Sequence, residues 1–220
     1  MGLALEEGLH SNMIFKSKSF KKPHETSDSV YLGEDEIQRI TEVNLNEKLN
    51  NVRDLFLLGC HTGLRFSDYD KLKPQYMVND GNLLRLRTQK TGEEIIIPLH
   101  PRAKAIIEKH NKNGGIQPIS NQKFNEYVKV VCQKAGIDQM TTISRTIAGR
   151  KQDFVNPKYE LISSHTGRRS FATNAYLAGV PSLAIMSITG HRTESSFLKY
   201  IKVSKEEQAK VISNHSFFSP

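Results

Sequence analysis

Apolar residues recur every third or fourth position along several stretches of this chain, the spacing of a helix with one buried face. Leu49, Val52, Leu55, Phe56 and Cys60 mark such a helix over residues 46–61, and Thr62-Gly63 ends it, because glycine enters the left-handed conformation that closes a helix. Phe124, Tyr127, Val128 and Val131 mark another over residues 120–135, capped by Gly136. A helix also runs from Pro101 to about Lys112, where Asn113-Gly114-Gly115 stops it. Acidic residues open a shorter one at 33–40, as the helix dipole favours. Leu64 restarts a helix that runs to Leu72 and is closed off by Pro74. Only residues 83–87 and 94–98 change period, to short β-rich runs around Thr-Gln-Lys-Thr-Gly, a hairpin with Gly92 in its turn and Lys90 at its tip. The pattern predicts a mainly α fold with a small antiparallel sheet.

The two ends of the chain carry the same grammar more weakly. Residues 1–12 have helical character, then 13–29 turn basic and Ser-rich, with four lysines between Lys16 and Lys22 followed by Pro23. Such a stretch buries little surface and reads as a linker. Residues 139–160 hold Arg145, Arg150, Lys151 and Lys158 among few apolar positions, an irregular or two-stranded segment. A helix follows from about Thr166, read as its N-cap; Gly179-Val180-Pro181 breaks the chain, a short apolar helix spans 182–188, and another spans 195–200. Ser204 and Glu207 form a capping box for a last amphipathic helix that ends near Phe217-Phe218.

Composition narrows the class. In 220 residues, 31 Lys+Arg against 23 Asp+Glu leave a formal charge of +8, the mark either of a soluble basic protein or of one with a polyanionic partner. No apolar run approaches the roughly 20 residues that span a bilayer, and the first residues lack a signal peptide's basic start, so the expectation is a cytoplasmic protein without membrane contact. Cys60 and Cys132 have no CxxC spacing and suit buried thiols rather than a disulfide framework or zinc site. Trp is absent, so any base-stacking surface would rest on Phe or Tyr.

The chemistry concentrates between Ser164 and Ile201. His165 and Arg168 stand three apart, hence on one helical face, close to a helix start whose free N–H groups favour an anion. A histidine, an arginine and a helix N-terminus together suggest a phosphate. Gly190-His191 closes the apolar helix, and Tyr200 follows nine residues later on another, placed to serve as a nucleophile. Arg65, in Thr62-Gly63-Leu64-Arg65, sits at a helix junction from which a side chain reaches a cleft, and Asp68 at i+3 is placed either to orient its guanidinium or simply to favour the helix N-terminus.

These elements in this order resemble the tyrosine recombinase (phage integrase) catalytic domain over roughly Tyr31 to Ser213. The resemblance implies residues 1–29 as the end of a truncated core-binding domain plus linker, and 30–220 as the catalytic domain with a C-terminal docking helix. It implies site-specific cleavage and rejoining of DNA through a 3′-phosphotyrosine, with no cofactor and no metal. Tyr200 would be the nucleophile, Arg65 and Arg168 would neutralise the phosphate, and His165 would exchange the phenol proton. Lys90 would protonate the leaving 5′ oxygen and His191 would support the pocket. Arg169, Arg192, Arg145, Arg150 and Lys151 would contact DNA. Implied partners are double-stranded attachment sites and further protomers of the same recombinase, the latter through the C-terminal helix, which is equally compatible with packing back on its own chain. A type IB topoisomerase and a non-catalytic DNA-binding module are the rival readings.

Overall fold

A computed structural model describes residues 2–17, 29–147, 150–201, 203–213 and 218. The linker lysines Lys18, Lys21 and Lys22, and Phe217, lie outside the described residues. The chain divides into two compact units, one of residues 1–28 and 142–154 and the other of 29–141 and 155–220. In the first unit, α1 (Gly2–Glu6) is shorter than the helix expected over 1–12 and is followed by a 3-10 turn at Ile14–Lys16. The segment expected to be irregular or two-stranded is a ribbon of β4 (Met140–Ile147) and β5 (Arg150–Pro157), whose tip belongs to this unit. Ser144 Oγ bonds Asp153 Oδ1 across it at 2.5 Å.

The larger unit is built on α3 (Glu47–Thr62), which is buried on every side from Asp54 to Thr62. That is broader than the single apolar stripe of its sequence, because four helices surround it. These are α2 (Glu34–Glu42), α4 (Pro101–Lys112), α5 (Asn121–Lys134) and α6 (Ser164–Leu177). Burial of Asp54 is offset by Arg53 Nη2 at 3.2 Å on its own helix and by Lys109 Nζ at 2.7 Å and His110 Nε2 at 3.2 Å, which tie α3 to α4. A three-stranded antiparallel sheet, β1 (Met77–Val78), β2 (Leu83–Arg87) and β3 (Glu94–Pro98), lies beside them, its Leu84, Leu86, Ile95 and Ile97 turned inward. The two-residue β1 was not foreseen. Residues 66–71, expected in a helix over 64–72, form a 3-10 turn.

Helix α6 approaches α3 most closely where Gly59 meets Gly167. A Cβ on Gly167 would stand 3.3 Å from the Phe56 carbonyl, and one on Gly59 would stand 2.1 Å from the Tyr69 hydroxyl. This contact seats the first turn of α6 over the end of α3. A second core of Ala172, Ile185, Met186, Phe197 and Ile201 joins α6 to α7 (Ser182–Thr189) and α8 (Glu194–Ile201). The last helix, α9 (Lys205–Ser213), has the expected capping box, Glu207 N–H to Ser204 Oγ at 3.1 Å and Ser204 N–H to Glu207 Oε2 at 2.8 Å. Tyr31 also donates to Glu207, at 2.8 Å, so this helix packs on its own chain. Among the described residues no helix is long and apolar enough to cross a membrane.

At the end of α3, His61 stacks on His100 with ring centroids 4.5 Å apart, and its buried Nε2 has no hydrogen-bond partner. Burial, then His100 and Arg102, push its pKa down to about 4. The folded protein therefore holds His61 neutral, while the unfolded chain binds a proton near pH 6.5. Its stabilising contribution is complete above pH 6.5 and is lost as pH falls toward 4. Between pH 7 and 4.5 the wild type should lose about 2 kcal/mol more stability than His61→Phe in urea unfolding. Equal losses would show that His61 does not titrate in this way.

Candidate active site

The pocket begins at the first turn of α6. Ser163 is its N-cap, and Thr166, expected in that role, is instead the buried third residue of the helix, accepting the Ser163 N–H on its hydroxyl at 3.0 Å. The helix thus starts three residues earlier, and His165 stands exposed in its first turn. The Ser164 N–H is also taken, by Asn125 Oδ1 at 2.8 Å. The helix end is therefore less open to an anion than the sequence suggested. Side chains, rather than backbone N–H groups, make the anion pocket.

Arg168, one turn further on, is only 4% exposed. Its guanidinium donates from Nη1 to the Gly63 carbonyl and from Nη2 to the Thr189 carbonyl, bridging the ends of α3 and α7 to α6. Both helices terminate in left-handed glycines, Gly63 at φ 66° and Gly190 at φ 62°, which turn the chain at these carbonyls. Arg65 leaves the first turn in extended conformation, and a Cβ on Gly190 would stand 3.7 Å from its Nη2. Both arginines thus reach the Thr189–Gly190 turn. Burial and then the Arg65 charge lower the Arg168 pKa to about 10. Two guanidiniums brought to one turn suit the two non-bridging oxygens of a phosphate.

Tyr200 reaches this pocket from α8. Its ring lies 4.7 Å from that of His191, and its hydroxyl, facing Arg168, makes no well-formed hydrogen bond. Burial raises the phenol's pKa, against the opposing pull of Arg169, Arg168 and Arg65. The tautomer of His191 follows from its partner. The Thr189 hydroxyl gives its single proton to the Ile185 carbonyl at 2.9 Å, so it accepts from His191 Nδ1 at 2.8 Å and leaves Nε2 with the lone pair. Burial, then Arg168 and Arg65, push the His191 pKa down to about 4, so the ring is neutral at pH 7. The His165 pKa is lowered as well, by partial desolvation of its ring and then by Arg168, Arg169, Arg65 and Lys90. It too stands neutral, in the form that accepts a proton.

Lys90 is exposed at the turn between β2 and β3, near enough to His165 for its charge to be felt there. Two expected roles are corrected. Asp68 was expected to orient Arg65; its fully buried carboxylate instead accepts from the Gln89 N–H at 2.7 Å and from Lys71 Nζ at 3.0 Å. Lys71 continues to the Arg87 carbonyl at 2.6 Å, so the pair anchors the turn that carries Lys90. The 3-10 winding of residues 66–71 points Asp68 at the hairpin rather than back along a helix face. Arg169 was expected on DNA; its guanidinium is turned inward, onto Tyr200 and the Val30 carbonyl. Arg192, Arg145, Arg150 and Lys151 are exposed, the last three on the ribbon. Thr189, which holds both Arg168 and His191, was missed, since only the neighbouring Gly190-His191 stood out in the sequence.

Residues 30–207 match the model of the phage integrase family. The tyrosine recombinase XerC of Pelobacter propionicus is 27% identical over 184 residues, 82% of this chain and 58% of its own length. The tyrosine recombinase XerA of Pyrococcus horikoshii is 28% identical over 215 residues, 94% of this chain and 69% of its own. The chain thus spans about three fifths to two thirds of these relatives. In fold it is similar to a lambda integrase (75–356) dimer bound to a COC′ core site, with a TM-score of 0.63 at 19% identity over 91% of this chain and 68% of that one. The matched span contains Arg65, Lys90, His165, Arg168, His191 and Tyr200. The chain belongs to the phage integrase family.

Proposed function

We propose that this chain cleaves and rejoins DNA at specific sites through a covalent 3′-phosphotyrosine. The observation that carries the proposal is the convergence of Arg65 and Arg168 on the Thr189–Gly190 turn, where the Tyr200 ring lies against His191 and its phenol feels both charges. A phosphodiester seated between the guanidiniums relieves their repulsion, and charge developing on its non-bridging oxygens meets donors already in place. The Tyr200 oxygen attacks phosphorus, the bond to the 5′ oxygen breaks, and the strand's 3′ side stays on the enzyme. His165 takes the phenol proton and Lys90 delivers one to the leaving oxygen; religation runs the same steps backward. Phosphate binding also offsets the Arg168 and Arg65 charges that, after burial, depress the His191 pKa, which favours a proton on that ring and a hydrogen bond from it to the phosphate.

The substrate is double-stranded DNA, met in the cytoplasm, and the +8 charge supports that partner. Further protomers of the same chain are the second partner. The half-exposed Ile212 on α9 supports the C-terminal helix as a protomer contact. Arg192, Arg145, Arg150 and Lys151 are proposed backbone contacts.

A nicked suicide substrate tests the reaction. Wild-type protein should accumulate a covalent protein–DNA species, and Tyr200→Phe should form none while binding DNA with nearly unchanged affinity, since no charge is removed. A binding module gives no adduct with wild type. Relaxation of supercoils by a monomer would favour the topoisomerase reading.

The hairpin gives a separate expectation. Lys90→Ala should cleave about 10²–10⁴-fold more slowly. A sulfur in place of the bridging 5′ oxygen leaves without a proton and should restore most of the rate. Asp68→Asn, which loosens the anchor of the same turn, should slow cleavage less and be rescued in the same way, whereas Arg65→Ala should not be rescued. Absence of rescue for Lys90→Ala would assign the acid to another group.

A further inference from the structure

Helix α8 presents a problem that its own sequence does not solve. Its last carbonyls have no partners within the helix, and the end that carries Tyr200 holds the negative pole of the helix dipole. Two side chains of α6 meet that end. Arg169 Nε donates to the Tyr200 carbonyl at 3.1 Å, and Thr173 Oγ1 donates to the Ile201 carbonyl at 3.3 Å. The Arg169 guanidinium also lies 4.7 Å from the centroid of the Tyr200 ring. One side chain therefore holds the nucleophile by its backbone and by its ring. Arg168 and Arg169 are neighbours on α6, about 100° apart around the helix, and so serve different surfaces.

We propose that Arg169 is a positioning residue for the nucleophile, docking the C-terminal end of α8 on α6 and fixing the Tyr200 ring, and that it makes no contact with DNA. The proposal rests on the reading of Tyr200 as nucleophile. The geometry explains why a cation stands at this position: it caps a helix C-terminus and lies against a ring in one placement. Its Nη1 also donates to the Val30 carbonyl at 3.4 Å, so two of its three nitrogens bond internal carbonyls. A lysine at this position keeps the charge but offers no planar fork, so it holds the ring or the carbonyl less well.

The test compares Arg169→Met and Arg169→Lys with wild type in three measurements. Amide hydrogen exchange of the DNA-free protein should rise about tenfold to a hundredfold in α8 for Arg169→Met, less for Arg169→Lys, and stay unchanged in α3. Single-turnover cleavage should fall at least tenfold for Arg169→Met, with partial recovery for Arg169→Lys. DNA affinity and its salt dependence should match wild type, because no phosphate contact is lost. A fall in the salt slope by about one, with α8 exchange unchanged, would make Arg169 a phosphate contact and overturn the proposal. Equal acceleration of exchange in α3 and α8 would reduce its role to general stability and overturn it too, as would no change in any measurement. A failure of the proposed reaction shows separately, as absence of covalent adduct with wild type, while the exchange result still decides the docking.

Discussion

The buried guanidinium of Arg168 is the interaction on which the rest of this structure depends. A charge 4% exposed has to be compensated, and here the compensation is two backbone carbonyls from chain segments more than a hundred residues apart. Satisfying it fixes where α3 ends, where α7 ends and how α6 crosses both. The Gly59–Gly167 contact allows that crossing, and the left-handed Gly63 and Gly190 turn the chain at the carbonyls that Arg168 needs. Arg65 and His191 leave from these same turns. The convergence of these side chains is therefore a consequence of how the helices are fastened, rather than a feature added to a finished fold.

Fastening and chemistry share a currency of charge. Arg65 and Arg168 repel each other, and desolvation together with their field keeps His165 and His191 unprotonated. Tyr200 experiences the opposite: burial raises its pKa while three arginines pull it down. An anion entering between the guanidiniums changes all of these balances together. Preorganised donors of this kind need no rearrangement as charge develops, which is the usual origin of large electrostatic catalysis.

Much of this was legible in the sequence, for reasons that can be named. The two long helices α3 and α5, and the β2–β3 hairpin, carry strong local periodicity and explicit stop signals, and their limits fall within a residue of those expected. His165, Arg168, His191 and Tyr200 stand close together in sequence, so local spacing was enough to group them. Long-range direction was not readable. Asp68 looked like a partner for Arg65 because i and i+3 share a helical face, but the backbone there winds as a 3-10 turn and aims the carboxylate at Gln89. Arg169 looked like a free cation beside a site residue, and nothing local reveals that α8 ends against it. Thr166 and Ser163 are both good N-caps, and the choice fell to Ser163 with Thr166 buried at the third position.

The claim that Arg168 is structural before it is catalytic has a direct measurement. Arg168→Lys keeps the charge but loses the fork that spans two carbonyls. In DNA-free protein, urea unfolding should show a loss of about 2–3 kcal/mol, with amide exchange rising around Thr189 and Gly190. Wild-type stability and wild-type protection at those residues, in a variant that cleaves poorly, would contradict the account and confine Arg168 to the chemistry.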